Sequence, residues 1–496
     1  MTTSPRVLIL GAGISGLCMG IRLKQSGIDS FTILEKSDRV GGTWRDNTYP
    51  GVACDVPSHL YSYSFELNPD WSRIFSPGWE IQEYCEHCAD KYGLAPHLRF
   101  GAEIEHIEYT DEDWCVRLEG GEEFHADFVV SALGGLHKPK VASIPGADDF
   151  EGTSFHSAQW RPDRDLAGCR VAIIGSAASA IQIVPEIAEQ TEHLTIFQRT
   201  PNWILPRGDR AYPAWLKRAF RIVPGLQRLY RLFLYLLLEA RFPVFVAGSR
   251  LAAPLERLCR RSIAMRVPDP ELRARLTPDY KPGCKRMLIS DDYFETLLRN
   301  DVDLVTTEIK RLEPSGVRTA DGRLHEADTL IYATGFEAFN FLAPLRVTGR
   351  SGVQLAEQWA GGIEAHRTVA VPGFPNFFML LGPNSGLGHN SVIIMIEAQV
   401  GYILKCIRAA SERALVHLDP RREESDRFNR DIQQDLDRTI WKSGCKSWYM
   451  DENGKVFALW PSSTLRYLWE MRRPLLHEYE QLTPAPSART ARDSHA

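Results

Sequence analysis

Two glycine turns define the chemistry open to this 496-residue chain. Gly11-Ala-Gly13-Ile-Ser-Gly16 follows the apolar run Arg6–Leu10 and leads into a segment with helical periodicity, Leu17–Gly27. Glycines at these positions allow a tight turn, close approach of the backbone to a pyrophosphate and close helix–strand packing, while the helix N-terminus offers free N–H groups. Phe31–Leu34 reads as the next strand, and Glu35 stands nineteen residues after Gly16, where a carboxylate accepts from ribose hydroxyls. A second turn, Gly175-Ser176-Ala177-Ala-Ser179-Ala180, follows the strand Arg170–Ile174. After the strand Leu194–Phe197 comes Gln198-Arg199-Thr200, with no acid. An arginine there suits a 2′-phosphate, so this site reads as NADP rather than NAD. Ala177 replaces the second glycine, and its methyl is expected at most to weaken the approach to the pyrophosphate. Two dinucleotide sites on one chain can pass hydride from one cofactor to another.

The elements that must position these groups follow from the rest of the chain. Asp328–Phe336 reads as a strand ending in an Ala333-Thr334-Gly335 turn, where the chain passes back between domains. Phe377–Asn384 reads as a strand into a glycine loop that closes the first domain. The predicted fold class is α/β, with two Rossmann-like dinucleotide-binding domains and a helical insertion. At this length two or three domains are expected.

Composition is that of a globular protein, 44% hydrophobic and 24% charged with a net charge of −5, which argues against a nucleic-acid partner. The apolar N-terminal run ends at once in the glycine turn and reads as a strand rather than a secretory signal. Ten scattered cysteines in a large chain predict no disulfide framework and a reducing cytoplasm. Cys85-Glu-His87-Cys88 has no second ligand pair and reads as helix, so no metal is expected. Residues 207–266 carry thirteen Lys or Arg against three acids. The apolar stretch Leu229–Leu238 within them is too short and too interrupted by charge to span a bilayer. A basic helical insertion packed on the domains is the first reading; a peripheral membrane surface or an entrance for hydrophobic substrates is the second. From Pro484 the chain is polar and expected to fray. A monomer or weak dimer is expected.

Two further strings carry a family likeness. Residues 150–160 read FEGTSFHSAQW, with Phe150, Gly152, His156 and Trp160 at fixed spacing. Gly41-Gly42-Thr43-Trp44 opens another string that runs through Tyr49-Pro50-Gly51 to Asp55. With these, over roughly residues 5–475, the chain resembles the type I Baeyer–Villiger monooxygenases, FAD- and NADPH-dependent enzymes that turn ketones into esters or lactones with O2. The resemblance implies a C4a-peroxyflavin that must stay deprotonated and shielded from water, beside a fixed cation. By resemblance that cation is Arg286, in Gly283-Cys-Lys-Arg286 with Tyr293 downstream, oriented by Asp55. His156 is a third candidate catalytic residue, with domain coupling and nicotinamide positioning as its first role. Gly42, Thr43, Trp44 and Tyr61 are expected at the FAD site. Ser447-Trp448-Tyr449 resembles the family's mobile loop, which puts Trp448 near NADP. Arg161 departs from the family after Trp160. The continuation Met450–Gly454 also departs, and leans the substrate toward aryl, acyclic or bulky ketones.

The resemblance implies residues 1–145 and 331–482 as the FAD part, 146–206 and 275–330 as the NADP part, 207–274 as the insertion and 483–496 as a flexible tail. Trp160 and Asp55 favour ketone oxidation over the alternative, an N- or S-oxidising flavin monooxygenase. A disulfide reductase would need a close-spaced cysteine pair beside the flavin, and Cys54 stands alone there. An uncoupled NADPH oxidase-like flavoprotein is the remaining alternative.

Overall fold

Val-Leu-Ile-Leu at residues 7–10 is apolar at every position, and in the computed structural model it forms a strand, Val7–Leu10, buried throughout. Such a strand belongs inside a parallel sheet covered on both faces. It pairs in parallel with Phe31–Leu34 on one side and Phe128–Ser131 on the other, and Leu98–Arg99 and Phe377–Met379 complete the two edges. A second all-parallel sheet repeats the plan. Its order is Val302–Val305, His193–Phe197, Arg170–Ile174, Thr329–Tyr332, Thr153–His156. In each sheet the glycine turn leaves the strand from which successive connections diverge to opposite sides. Open α/β sheets bind ligands in that crevice. The fold is α/β with two Rossmann-like units, and each sheet has its own apolar core. The structure describes residues 4–110, 112–337, 342, 345–445 and 447–482; the tail expected to fray lies outside them.

The first helix runs Ile14–Gln25 rather than Leu17–Gly27. It starts inside the glycine turn because Gly13, extended at φ −74° and ψ −174°, serves as its N-cap. The free N–H groups therefore belong to the turn itself. The strands begin at Val7 and His193, within a residue of expectation. Two crossings join the sheets and pair with each other: Lys140 N–H donates to Gly335 O (2.9 Å) and Glu337 N–H to Lys138 O (3.0 Å).

The basic insertion is helical, with Ala214–Ile222, Leu226–Glu239, Ala252–Arg266 and Pro270–Leu276. Cys259 and Ile263 pack into the core of the second sheet, whereas Leu234 and Leu238 pack on Leu60 and Ile394. Among the described residues no helix is long and apolar enough to cross a membrane.

The edge strand Phe377–Met379 is buttressed by Asn376, which binds Leu418 in the strand His417–Pro420 through both backbone and side chain. In that strand Asp419 is buried, its carboxylate accepting from Gly373 N–H at 2.8 Å. Burial raises its pKa from 3.8 to about 6. The native state thus holds this proton more tightly than the unfolded chain does. The group costs stability fully above pH 6, and the cost fades as pH falls toward 3.8. Asp419→Asn should stabilise the protein at pH 8 by up to about 3 kcal/mol and hardly at all at pH 4. Equal shifts in thermal midpoint at both pH values would refute this.

Candidate active site

The first turn is closed by contacts that only glycine allows. A methyl on Gly16 would lie 1.9 Å from Gly11 O, and one on Gly11, at φ +98°, would lie 2.9 Å from Ala132 O. Gly41 N–H donates to Ala12 O (3.0 Å), and the space a Cβ would need at Gly42 is 3.1 Å from Gly13 Cα. The Gly41–Trp44 segment therefore lies directly on the dinucleotide turn. Glu35 is buried beside it. Its carboxylate accepts from Ala12 N–H (2.8 Å) and Ser37 N–H (3.0 Å) and pairs with Arg45 (3.1 Å). With about four lone-pair directions in all, acceptor capacity remains for a ribose hydroxyl. Trp44 Nε1 donates to Tyr61 Oη (3.2 Å), so these two predicted FAD-site residues form one unit. Thr43 opens the short helix Thr43–Asp46 and is exposed.

The second turn repeats the first at a key contact. A methyl on Gly175, at φ +120°, would lie 2.3 Å from Ala333 O. Ala132 and Ala333 each follow the neighbouring strand of their sheet, so each turn is pressed on an equivalent carbonyl. Ala177 is the helix N-cap, exposed and extended at φ −93°, a conformation any residue adopts. Its own conformation therefore requires no glycine. Ser176 Oγ donates to Thr200 O (3.4 Å) and Asn202 Nδ2 to Ser176 O (2.9 Å), tying the turn to the Arg199 segment. Ser179 faces Tyr49. Arg199 is exposed and has no ion pair among the described residues. Lys285 lies near it: burial first, then the charge of Arg199, lowers the lysine's pKa. Two cations held together call for an anion of high charge.

Arg286 and Asp55, 231 positions apart, meet between the two sheets. Arg286 Nε donates to Asp55 Oδ2 (2.9 Å) and Nη2 to Oδ1 (2.6 Å), the fork geometry of a guanidinium on a carboxylate. The arginine side chain is 41% exposed although protein atoms surround it, so it lines an open cleft rather than a sealed core. The charge of Asp55 raises its pKa further above the ordinary value, and it stays cationic at any working pH. Tyr449 is buried close to the pair. Burial pushes its hydroxyl up to about 12 while Arg286 pulls it down. Trp448, tilted against Tyr449 with ring centroids 4.6 Å apart, is 45% exposed.

His156 ends the edge strand of the second sheet and makes no hydrogen bond to Arg286 or Asp55 among the described residues. Its Nδ1 accepts from Ala158 N–H (3.1 Å), and burial lowers its pKa. Burial leaves the ring neutral at pH 7, and its other nitrogen is buried facing the backbone of Gly335, which partly offsets that lowering. That fits packing against Phe336, ring centroids 5.9 Å apart, better than proton transfer at the cleft. Trp160 stacks edge-on against Phe155, and Phe150 covers Gly152. Arg161 is tied to Asp163 on the surface (2.7 and 2.9 Å), which accounts for that departure. Cys85 and Cys88 are buried in the helix Gly78–Lys91, the latter thiol pushed up to about 12 by burial.

Sequence reasoning missed the residues that lock the Tyr49–Asp55 string to the second unit. Tyr49 Oη donates to Gln182 Oε1 (3.0 Å), Gln182 Nε2 to Ala53 O (3.0 Å), and Arg207 Nη2 to Cys54 O (3.2 Å). Glycine at 51 is required there, since a methyl would sit 2.5 Å from Gln182 O. The missed signal was Gln182, a polar residue between Ile181 and Ile183 in the helix Ala178–Ile187. No disulfide framework is present among the described residues, but one bond that the sequence reading did not anticipate is. Cys284 and Cys445 form a disulfide, Cα atoms 6.3 Å apart, because residues 440–445 fold back over the segment that carries Arg286.

Residues 8–221 match the family model described as pyridine nucleotide-disulphide oxidoreductase. The chain is 44% identical over 495 residues to a Baeyer–Villiger monooxygenase of Streptomyces coelicolor, covering 99% of this chain and 95% of that protein. It is 43% identical over 466 residues to one of Pseudomonas aeruginosa, covering 93% and 88%. The chain belongs to the Baeyer–Villiger monooxygenases. A solved structure of OTEMO in complex with FAD and NADP superposes with a TM-score of 0.85 at 26% identity, covering 94% of this chain and 97% of that one. The disulphide-oxidoreductase match takes in both nucleotide turns but neither Cys284 nor Cys445, so the likeness in that match is one of cofactor sites. Arg286 lies outside the residues of that match.

Proposed function

We propose that this chain uses FAD and NADPH to insert one oxygen atom of O2 beside the carbonyl of a ketone, giving an ester or lactone. The observation that carries this reading is the Arg286–Asp55 fork in an open cleft between two dinucleotide-binding sheets. The residues present fit both cofactors. FAD would lie on Gly11, Gly13 and Gly16 with Glu35 at its ribose and the Gly42–Trp44 segment and Tyr61 along it. NADP would lie on Gly175, Ser176 and Ser179, its 2′-phosphate at Arg199, Thr200 and Lys285. When bound, NADPH supplies hydride, and the reduced flavin with O2 supplies the oxygen atom. Arg286 stabilises negative charge that develops on the substrate carbonyl oxygen. Asp55 fixes the plane of its guanidinium, and Tyr449 with Trp448 walls the cleft. His156 packs the edge of the second sheet as a positioning residue. The FAD side comprises 1–145 and 331–482, the NADP side 146–206 and 275–330, with 207–274 inserted. The substrates are aryl, acyclic or bulky ketones.

Turnover under 18O2 with a ketone panel tests this reading. An ester carrying a single labelled oxygen supports it; NADPH consumption yielding only hydrogen peroxide with every ketone overturns it. Arg199→Ala should raise the KM for NADPH by about 10- to 100-fold, the worth of a charge-assisted contact to phosphate, and leave that for NADH nearly unchanged. Equal changes for both would remove the residue from the 2′-phosphate site.

A further inference from the structure

We propose that the exposed face of the insertion docks on the surface of an anionic lipid bilayer. The helix Leu226–Glu239 turns Leu229, Leu232, Phe233, Leu236 and Leu237 to solvent, each between 46% and 65% exposed. Their spacing places them on one stripe of the helix, while Leu234 and Leu238 hold the opposite side to Leu60 and Ile394. An amphipathic helix of a soluble domain normally buries its apolar stripe; here the longer stripe faces outward. The preceding helix Ala214–Ile222 adds Trp215 (70% exposed) and Ile222 (66%). Thr464 joins the adjoining helix Thr464–Glu470 to this face by donating its N–H to Glu239 (2.8 Å), and exposes Leu465 and Trp469 beside it. Exposed apolar side chains gathered on one helix stripe mark an interaction site.

Charge selects the partner. The three acids of residues 207–266 are spent internally: Asp209 on Arg73 (2.6 Å), Glu239 on Thr464, Asn390 and His389, Glu256 on Arg260 (2.8 Å). Arg218, Arg228, Arg250, Arg257 and Arg261 are exposed, with no ion pair among the described residues. Arg218 and Arg228 stand on the same two helices as the outward Leu/Phe stripe and Trp215, and the insertion as a whole is basic, which is the pattern of a helix lying in the headgroup region. A second copy is a poor occupant, because two-fold pairing would bring the same unpaired arginines together. The insertion thus turns the protein toward a membrane without crossing it.

The full-length protein is sedimented with vesicles of phosphatidylcholine alone or mixed with phosphatidylglycerol. Partitioning to the mixed vesicles should be at least about tenfold stronger and should weaken with salt. The triple variant Leu232→Ser/Phe233→Ser/Leu236→Ser should lose at least about tenfold in partitioning while ketone oxidation in free solution and the circular dichroism spectrum stay unchanged. Arg218→Ser/Arg228→Ser should lose part of the preference for anionic vesicles. No partitioning by the native protein, or partitioning that the triple variant retains, would overturn the proposal. So would a native dimer in velocity sedimentation that Phe233→Ser turns into a monomer. None of the outcomes that would overturn the proposal depends on the reaction assigned above.

Discussion

Arg286→Ala should cut ester formation by about 10²- to 10³-fold, the usual cost of removing a preorganised electrostatic group, or roughly 3–4 kcal/mol of barrier. Flavin reduction by NADPH should stay within a few-fold of the native rate, because the arginine is assigned to the oxygenating half of the cycle. The variant would then consume NADPH and release peroxide. Two companions separate charge from orientation. Arg286→Lys keeps the cation but cannot fork onto Asp55, where Nε and Nη2 both donate, so it should recover only part of the loss. Asp55→Ala keeps the guanidinium and frees its plane, and should cost less than Arg286→Ala. Anaerobic reduction followed by product analysis reads both halves on the same sample. An ester yield in Arg286→Ala close to native would place the essential cation elsewhere.

The second large effect concerns FAD itself. Gly16→Ala puts a methyl 1.9 Å from Gly11 O and 3.0 Å from Gly11 C, and both are backbone atoms of the turn that would cradle the pyrophosphate. No rotamer relieves that overlap, so the turn must open. FAD affinity should fall by about 100-fold or more, close to 3 kcal/mol, and the protein should purify largely colourless. Ala177→Gly in the other turn is the contrast. Ala177 is exposed with negative φ, so restoring the family's glycine should change the KM for NADPH by no more than a few-fold. Absorbance at the flavin band and a titration with FAD decide the first; steady-state kinetics decide the second. A Gly16→Ala protein that stays fully yellow would mean the turn is more compliant than its contacts indicate.

Much of the fold was legible because its signals are local. A buried apolar strand, a glycine turn and a helix lie within thirty residues of one another, and each sheet announces itself that way. The Arg286–Asp55 pair was legible only through family likeness, since nothing in local spacing joins positions 231 apart. What escaped was contact between distant segments: Gln182 against Tyr49 and Ala53, Lys285 beside Arg199, and the Cys284–Cys445 bond. Such pairings depend on how two domains are set against each other, and periodicity carries no information on that. At Ala177 the structure adds one thing the motif did not carry: the backbone there is extended at negative φ and does not itself demand glycine.

The bond between Cys284 and Cys445 also has a mechanical consequence. Cys284 lies two residues before Arg286, and Cys445 three before Trp448. While the bond is intact, a displacement that swings Trp448 and Tyr449 far from the cleft draws the segment that carries Arg286 after it. The wall and the cation then travel as one hinged part. On the function proposed above, exposing the cleft to bulk water and disturbing the arginine would be a single event.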